Sequence, residues 1–304
     1  MSCRALSSDA ETRSNEVDPL AILAGLGVDS PDAVTAVSGG WDTALWRVDT
    51  QGRAYALRVF RPEQAETCRR EALVMRTLSG MGLPVPGVQA EGVGQGRPAL
   101  LLSWCRGQTV LEELRQQPWR IWHLGVAMGR TQNRIHGTPL SEALRRALPP
   151  WSPRADEAPQ ALGALLRAAP AGSISLLHLD YHPLNVMTDG RTLTGVLDWA
   201  NVAIGDRRAD LARTITILRL APLPPGTPAV FRWLTAILEL AWRTGYRDGQ
   251  RVDPFGHLGP FYAWAGAMME RDLRPKLGRS GVWLQQTDLA RIHRWTSQWI
   301  EHEK

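Results

Sequence analysis

The stretch LLHLDYHPLNVM, residues 176–187, places two histidines, an aspartate and an asparagine between apolar flanks. His178 and His182 are four positions apart, which is the spacing of a zinc-binding HxxxH motif on a helix. Pro183 follows His182 directly and disfavours the helical conformation there, and no glutamate stands beside the first histidine. The stretch therefore predicts a loop between two short strands rather than a metal-binding helix.

The loop presents Asp180 and Asn185, and a further carboxylate, Asp198, follows the strand predicted at 195–197. Phosphoryl transfer uses a carboxylate that meets the acceptor hydroxyl. It also uses amide and carboxylate oxygens, because these bind the hard cation Mg²⁺. These three side chains therefore indicate phosphoryl transfer.

HLDYHPLNVM (178–187), followed by GVLDWANVAIGDRRADLA (195–212), resembles the catalytic core of the aminoglycoside phosphotransferase family. These are small-molecule kinases with a protein-kinase-like fold. Upstream, YALRV (55–59) resembles the family's third strand, REALVMRTL (70–78) its helix, and GLPVPGV (82–88) the link to the fourth strand. The resemblance spans roughly residues 34–215, and beyond that the chain resembles the family only in being helical.

The resemblance implies a role for each matching residue. Asp180 would orient or deprotonate the acceptor hydroxyl, while Asn185 and Asp198 would hold Mg²⁺. Arg58 would contact the phosphates of the donor, ATP or GTP, and Glu71 would pair with this arginine. Glu66, on nearly the same side of the predicted helix, is the alternative partner.

The remaining matches place the nucleotide and support the catalytic loop. The phosphate-covering turn would consist of Ser38, Gly39 and Gly40, where missing side chains let backbone N–H groups approach the phosphates. The backbone of the hinge, which holds the base, would comprise Ser103, Trp104 and Cys105. His178 and Asp210 would brace the catalytic loop.

Two residues depart from the pattern. Arg58 stands where protein kinases use lysine, and a guanidinium places its charge differently from an ammonium. Leu179 stands where many members carry glycine. The first departure bears on nucleotide preference and rate rather than on phosphate binding.

The pattern along the chain predicts an α+β fold. Short alternating or β-branched runs at 36–40, 43–50 and 53–60, and two further strands within 91–104, predict about five strands, with a tight hairpin at Gln51-Gly52. Helices are predicted at Pro19–Gly27, Pro62–Leu78, Val110–Arg115 and Pro118–His136, and over most of the chain after Asp198. Residues 138–160, with five prolines, predict an irregular connection.

Together with the resemblance, this order predicts a bilobal protein-kinase-like fold with a small antiparallel-sheet N-lobe and a larger, mainly helical C-lobe. The N-lobe sheet would carry one helix between its third and fourth strands. The expected domains are a tail and short helix (1–33), the nucleotide-binding N-lobe (34–103), the hinge (104–107) and the catalytic, substrate-binding C-lobe (108–304).

Composition excludes several classes of protein. The net charge of +5 comes almost wholly from arginine, which is spread along the chain rather than clustered, so no nucleic-acid partner is expected. Three cysteines without CxxC spacing argue against disulfides and structural zinc. The polar N-terminus and the absence of a long apolar run predict a cytoplasmic protein with no membrane partner. The sequence leaves the oligomeric state open.

The acceptor is expected to be a small hydroxylated molecule, either a metabolite or an antibiotic. Residues 201–304 contain fifteen Arg or Lys against ten Asp or Glu, which weighs against a polycationic acceptor such as an aminoglycoside. The candidate carboxylates on the acceptor side are Asp248, Asp253, Glu270 and Asp272.

Two other functions remain as alternatives. The first is a catalytically silent, nucleotide-binding scaffold, against which the intact Asp180, Asn185 and Asp198 argue. The second is a protein kinase. Asp206 follows Asp198 by only eight positions and no APE-like signature is present, which leaves little room for an activation segment.

Overall fold

The computed structural model describes residues 17–37, 43–151, 160–223, 226–227, 230–279 and 284–302. These residues form two compact units. The N-terminal unit contains the described residues up to Arg106 together with Gly195–Ala200, and the helical unit contains Gly107–Thr194 and the described residues from Asn201 onward. Among the helices in these ranges, none has both the length and the apolar character needed to span a bilayer.

The N-terminal unit has a five-stranded sheet in the order β1-β2-β3-β5-β4, in which all neighbouring strands are antiparallel. The elements in chain order are α1 (Pro19–Gly25), β1 (Ala33–Ala36), β2 (Ala44–Thr50), β3 (Arg53–Val59), α2 (Ala65–Gly80), β4 (Val88–Gly94) and β5 (Arg97–Ser103). The predicted antiparallel sheet with one helix between its third and fourth strands is confirmed.

The hairpin between β2 and β3 follows from its turn residues. Gln51 and Gly52 both have positive φ, 49° and 69°, which is the geometry of a type I′ turn. The turn sets the register in which Thr50 faces Arg53, and it places Trp46 opposite Leu57. The tight hairpin predicted from the sequence is therefore present.

One hydrophobic cluster of this unit lies between the sheet and α1. Ile22 and Leu23 of α1 are buried against Trp46 of β2 and Leu57 of β3. The helix can approach this closely because β4 ends in Gly94, where an added Cβ would lie 2.7 Å from the Cα of Ile22. The close approach at Gly94 thus lets α1 cover the apolar side chains on this face of the sheet.

The helical unit begins with β6 (Gln108–Thr109) and continues through short strands into long helices. Its elements are α3 (Val110–Gln116), α4 (Ile121–His136), α5 (Glu142–Ala147), α6 (Gln160–Ala168), β7 (Ile174–Leu177), β8 (Val186–Thr188), β9 (Leu193–Val196, which continues into the N-terminal unit), β10 (Ala203–Asp206), α7 (Arg207–Leu220), α8 (Val230–Arg247), α9 (Gly259–Leu273) and α10 (Gln286–His302). β6 pairs with β8 and β7 with β10, both antiparallel.

Two features of this unit differ from the sequence prediction. The connection predicted as irregular contains α5, which is capped where Ser141 Oγ accepts a hydrogen bond from the backbone N–H of Leu144. The strand β10 was also not predicted, because AIGD lacks the β-branched run that marks a strand and depends on pairing with β7. Both elements are too short for hydrophobic periodicity to reveal them.

Helix α7 lies in the centre of the helical unit. Asp206 caps its start, accepting a hydrogen bond from the N–H of Arg208 at 3.0 Å. The helix packs against β7, α8 and α9, and nearly all of its side chains are buried. A polar residue in its first turn, Asp210, is therefore held rigidly next to the end of β7.

Candidate active site

The stretch 178–185 connects β7 to β8 as a loop and not as a helix. His178 is fully buried, and its Nδ1 accepts a hydrogen bond from the backbone N–H of Asp180 at 3.2 Å. His182 accepts a similar bond from the N–H of Leu184 at 3.3 Å. The two histidines therefore stabilise the loop conformation. The loop itself was predicted from Pro183.

Asp180 is a carboxylate at neutral pH. Burial alone would raise the pKa of Asp180, but a hydrogen bond from His182 and electrostatic interactions with His182, Arg213 and His178 hold it well below its usual range. The Nε2 atom of His182 lies 3.4 Å from Oδ2 of Asp180. The group can therefore accept a hydrogen bond or a proton from a hydroxyl.

Hydrogen bonds to Asp180 hold the side chain of Asn185 in place. Its Nδ2 donates to the backbone oxygen of Asp180 at 3.0 Å and to Oδ2 of the same residue at 2.9 Å. Its own N–H donates to the carbonyl of His182 at 2.9 Å. Because the amide nitrogen faces Asp180, the Oδ1 atom of Asn185 is directed away from it, and no donor among the described residues contacts this oxygen.

Asp210 holds the start of the loop from the first turn of α7. This fully buried carboxylate accepts hydrogen bonds from the backbone N–H groups of His178 at 3.1 Å and Leu179 at 2.6 Å. It also lies 2.8 Å from Nε2 of His136 and accepts a bond from Nε2 of Gln132 at 3.1 Å. Although burial alone would raise the pKa of Asp210, His136 and His178 lower it.

The backbone at Leu179 has a conformation that glycine adopts more easily than leucine does. Leu179 has a φ of 62°, in the left-handed region that a leucine rarely occupies. Its N–H is held by Asp210, and its carbonyl accepts a bond from Nε of Arg213 at 3.2 Å. Contacts on both sides of the residue thus keep the loop in this conformation without a glycine.

In the N-terminal unit, Arg58 joins three side chains. Its NH1 lies 2.7 Å from Oε2 of Glu71, its NH2 lies 3.1 Å from Oδ1 of Asp198, and its Nε donates to Oγ1 of Thr43 at 3.2 Å. The alternative partner, Glu66, is occupied on the helix surface by Arg69 and Arg70. The structure therefore pairs Arg58 with Glu71.

Glu71 is fully buried on α2, and burial raises its pKa to about 7, against the opposing charge of Arg58. Its Oε2 atom accepts a hydrogen bond from Arg58, whereas its Oε1 atom is buried without a partner among the described residues. The protonated and ionised forms of Glu71 are consequently both populated near neutral pH.

Asp198 lies on the segment 195–200, which belongs to the N-terminal unit. Val196 N–H donates to the carbonyl of Pro84 at 2.8 Å, and a Cβ on Gly195 would overlap the sulfur of Cys105. Asp198 itself has a φ of 60°, and its carboxylate is nearly half exposed. The segment thus presents the carboxylate beside Arg58.

The predicted hinge follows β5. The N–H of Ser103 donates to the carbonyl of Gly87 at 2.8 Å, and the N–H of Trp104 donates to that of Ala54 at 3.2 Å. Burial raises the pKa of the Cys105 thiol to about 11, so this sulfur is a packing group. The predicted phosphate-covering turn, Ser38, Gly39 and Gly40, lies outside the described residues.

Each of the four candidate acceptor carboxylates has an arginine partner. Asp248 pairs with Arg130 at 2.8 Å, Asp253 with Arg247 at 3.2 Å, and Asp272 with Arg213 at 2.9 Å. Glu270 contacts Arg274 and His293. Of the four, only Asp272 is linked to the catalytic loop, through Arg213.

Sequence reasoning missed the residues that support Asp210 and Leu179. His136 and Gln132 are polar residues four positions apart on the buried face of α4, beside apolar neighbours such as Met128. A polar pair on an otherwise apolar face is a signal for a buried network. The partner in that network is visible only in the folded chain.

The observed elements and their order define a protein with a kinase-like fold. The sequence matches the model of the phosphotransferase enzyme family (APH) over residues 33–248. The chain belongs to this family and is a phosphotransferase. It matches no curated protein.

Solved structures share the fold. A protein of Ralstonia eutropha JMP134, provisionally assigned as an aminoglycoside phosphotransferase, has a TM-score of 0.67 at 16% identity over 99% of this chain and 98% of its own. A thermostable mutant of aminoglycoside phosphotransferase APH(4)-Ia, solved with AMP-PNP and hygromycin B, gives 0.64 at 16% identity over 92% and 96%. Macrolide 2′-phosphotransferase MphH of Brachybacterium faecium gives 0.56 at 16% identity over 91% and 97%. At these identities the likeness shows the fold alone.

Proposed function

We propose that the protein transfers the γ-phosphate of ATP or GTP to a hydroxyl of a small molecule, in a reaction that requires Mg²⁺. The observation that carries this proposal is the ionised Asp180 with Asn185 fixed beside it. A carboxylate in this state accepts a hydrogen bond from an alcohol, which directs the oxygen toward the transferring phosphoryl group. Family membership supports the same reaction class.

The chemistry of the oxygen donors fits Mg²⁺. Asn185 has an Oδ1 atom without a donor among the described residues, and Asp198 has a nearly half-exposed carboxylate. Amide and carboxylate oxygens are the ligands that hard cations take in proteins. When bound, Mg²⁺ would neutralise phosphate charge, and Asn185 and Asp198 are the residues that would hold it.

Arg58 is the proposed contact for the donor phosphates. Its three hydrogen-bonded nitrogens are directed to Glu71, Asp198 and Thr43, so the guanidinium has one defined position. An always-charged group held in place suits the binding of phosphate oxygens. The hinge, Ser103 to Cys105, would hold the base through its backbone.

The acceptor is proposed to carry little positive charge. A polycationic antibiotic would need unpaired carboxylates in the helical unit, but the four candidates there already pair with arginine. Hygromycin B and macrolides are associated with similar proteins at 16% identity. They define chemical classes for screening rather than a substrate.

Two measurements on the purified protein test the proposal. Titration calorimetry with AMP-PNP and Mg²⁺ should show binding that Asp198→Asn weakens by about tenfold or more, the scale of a lost charge-assisted contact. Asp189→Asn, which changes an exposed carboxylate in the β8–β9 turn, should leave binding unchanged. No binding by the wild-type protein would contradict the proposal.

The second measurement is nucleotide consumption in the presence of sugars, amino alcohols, macrolides and aminoglycosides. Acceptor-dependent consumption with at least one neutral or weakly charged class is the expected result. Binding of nucleotide without consumption across all classes would favour a catalytically silent protein instead.

A further inference from the structure

One cavity of the helical unit is separate from the catalytic loop. It has a volume of about 540 Å³, which is within the usual range for small-molecule sites. Helices α7, α8 and α10 form its walls, and the lining residues are Arg219, Thr235, Ala236, Glu239, Leu240, Arg243 and Arg291. Three guanidinium groups and one carboxylate therefore face a space large enough for a small molecule.

The single lining carboxylate is already fully engaged. Both oxygens of Glu239 accept from Arg219, from Nε at 2.7 Å and NH2 at 2.8 Å, and Oε1 also accepts from Nε of Arg243 at 2.8 Å. Glu239 is also almost completely buried. The walls thus carry three positive charges against one negative charge that is not available for further pairing.

Two of the arginines are fixed in position before any ligand arrives. Arg243 donates from NH2 to the hydroxyl of Tyr262 at 3.1 Å and lies over the ring of Phe255. Arg219 lies over the ring of Trp295 at 5.7 Å. Because the rotamers of these arginines are already restricted, their side chains lose little entropy when an anion binds.

The third arginine has an unpaired buried donor. NH2 of Arg291 donates to the carbonyl of Leu220 at 3.0 Å and lies 3.4 Å from Asp288, but its Nε is buried with no acceptor among the described residues. A buried donor without a partner costs about 1–3 kcal/mol.

The cavity is too far from the catalytic loop to present the reacting hydroxyl of a small acceptor. Asp210, which holds that loop, is in the first turn of α7, whereas Arg219 is in its last turn. Nine residues of helix separate them, which corresponds to about 13 Å. The cavity is therefore a second site on the same central helix.

We propose that this cavity binds a small anion whose charge lies on carboxylate or phosphate oxygens. Oxygen pairs of both kinds match the fork of an arginine guanidinium, and the surplus of positive charge on the cavity walls favours them over neutral ligands. The proposal does not depend on the nucleotide or acceptor assigned above.

Titration calorimetry with inorganic phosphate in one arm and citrate in the other tests the site and separates the two sources of negative charge. Arg291→Gln should weaken binding of the preferred anion by about tenfold, the equivalent of one charge-assisted hydrogen bond. Arg294→Gln is the matched control, because this arginine lies on the same helix and is exposed, outside the cavity. It should bind as the wild-type protein does.

Glu239→Gln provides a test of opposite sign, since it removes the only negative charge from the cavity wall. This variant should bind the anion at least as tightly as the wild-type protein. The proposal is overturned if the wild-type protein binds neither anion, if Arg291→Gln binds like Arg294→Gln, or if Glu239→Gln binds more weakly. Circular dichroism at the titration temperature establishes that each variant compared is folded.

Discussion

Asp210 of the helical unit and Glu71 of the N-terminal unit are both fully buried carboxylates, yet their pKa values move in opposite directions. Four donors surround Asp210, two of them backbone N–H groups, and its pKa is lowered. Glu71 has one arginine, which it shares with Asp198, and an oxygen without a partner, and its pKa rises to about 7. The number of donors, and not burial alone, decides whether a buried carboxylate keeps its charge.

This difference separates the proposed functions of the two units. The loop that carries Asp180 is held by Asp210, whose lowered pKa keeps its carboxylate charged near neutral pH. The pair that would position the donor phosphates includes a residue whose charge changes in that range. Catalysis and nucleotide binding should therefore respond differently to substitution and to pH.

The largest effect is expected for Asp210→Asn. The amide places an NH₂ group among donors that need an acceptor, and loss of one partner in a buried charged network costs about 3–5 kcal/mol. Urea unfolding at pH 8 should show this loss, together with loss of phosphate transfer. Glu71→Gln is the matched isosteric change in the other unit. Equal losses of stability in the two variants would contradict the comparison.

The next effect concerns pH. The pKa of Glu71 in the folded protein, about 7, lies above its ordinary value of 4.5. The stabilisation from its bound proton is therefore complete below pH 4.5 and is lost as the pH rises through 7. Relative to Glu71→Gln, the wild-type protein should lose about 2–3 kcal/mol of unfolding free energy between pH 5 and pH 8. A constant difference across this range would mean that Glu71 is ionised throughout.

A smaller effect is expected where the N-terminal unit holds Asp198. Gly195→Ala forces a methyl group against the sulfur of Cys105, and overpacking of this kind costs about 1–3 kcal/mol. Thermal unfolding should show the loss, and nucleotide affinity should fall with it. Gly80→Ala is the control, because no atom lies within 4 Å of the added Cβ. It should be neutral or slightly stabilising, and a similar loss in both variants would disprove the contact.

The sequence predicts much of the fold and the site because local patterns determine both. The type I′ hairpin at Gln51-Gly52 and the loop before Pro183 depend on residues within a few positions of one another. The pairing of Arg58 with Glu71 follows from the strand–helix order typical of the family. Residues that belong to local motifs can therefore be predicted from the sequence alone.

Contacts between distant elements were not predicted. His136 contacts Asp210 and Arg213 contacts the carbonyl of Leu179, from two different helices, and nothing in the spacing of either residue indicates these contacts. The lining of the anion cavity has the same origin, since Arg219, Arg243 and Arg291 come from three helices. Long-range polar contacts depend on packing angles that a single sequence does not reveal.

The central claim is that Asp180 receives or orients the acceptor proton, and Asp180→Asn tests it most directly. The substitution keeps the shape of the side chain and removes the ionised group. In a phosphate-transfer assay with an acceptor identified by screening, the rate should fall by about 10²–10⁴-fold, the range for loss of a general base. AMP-PNP affinity should remain at the wild-type value. Transfer at a rate close to that of the wild-type protein would contradict the account.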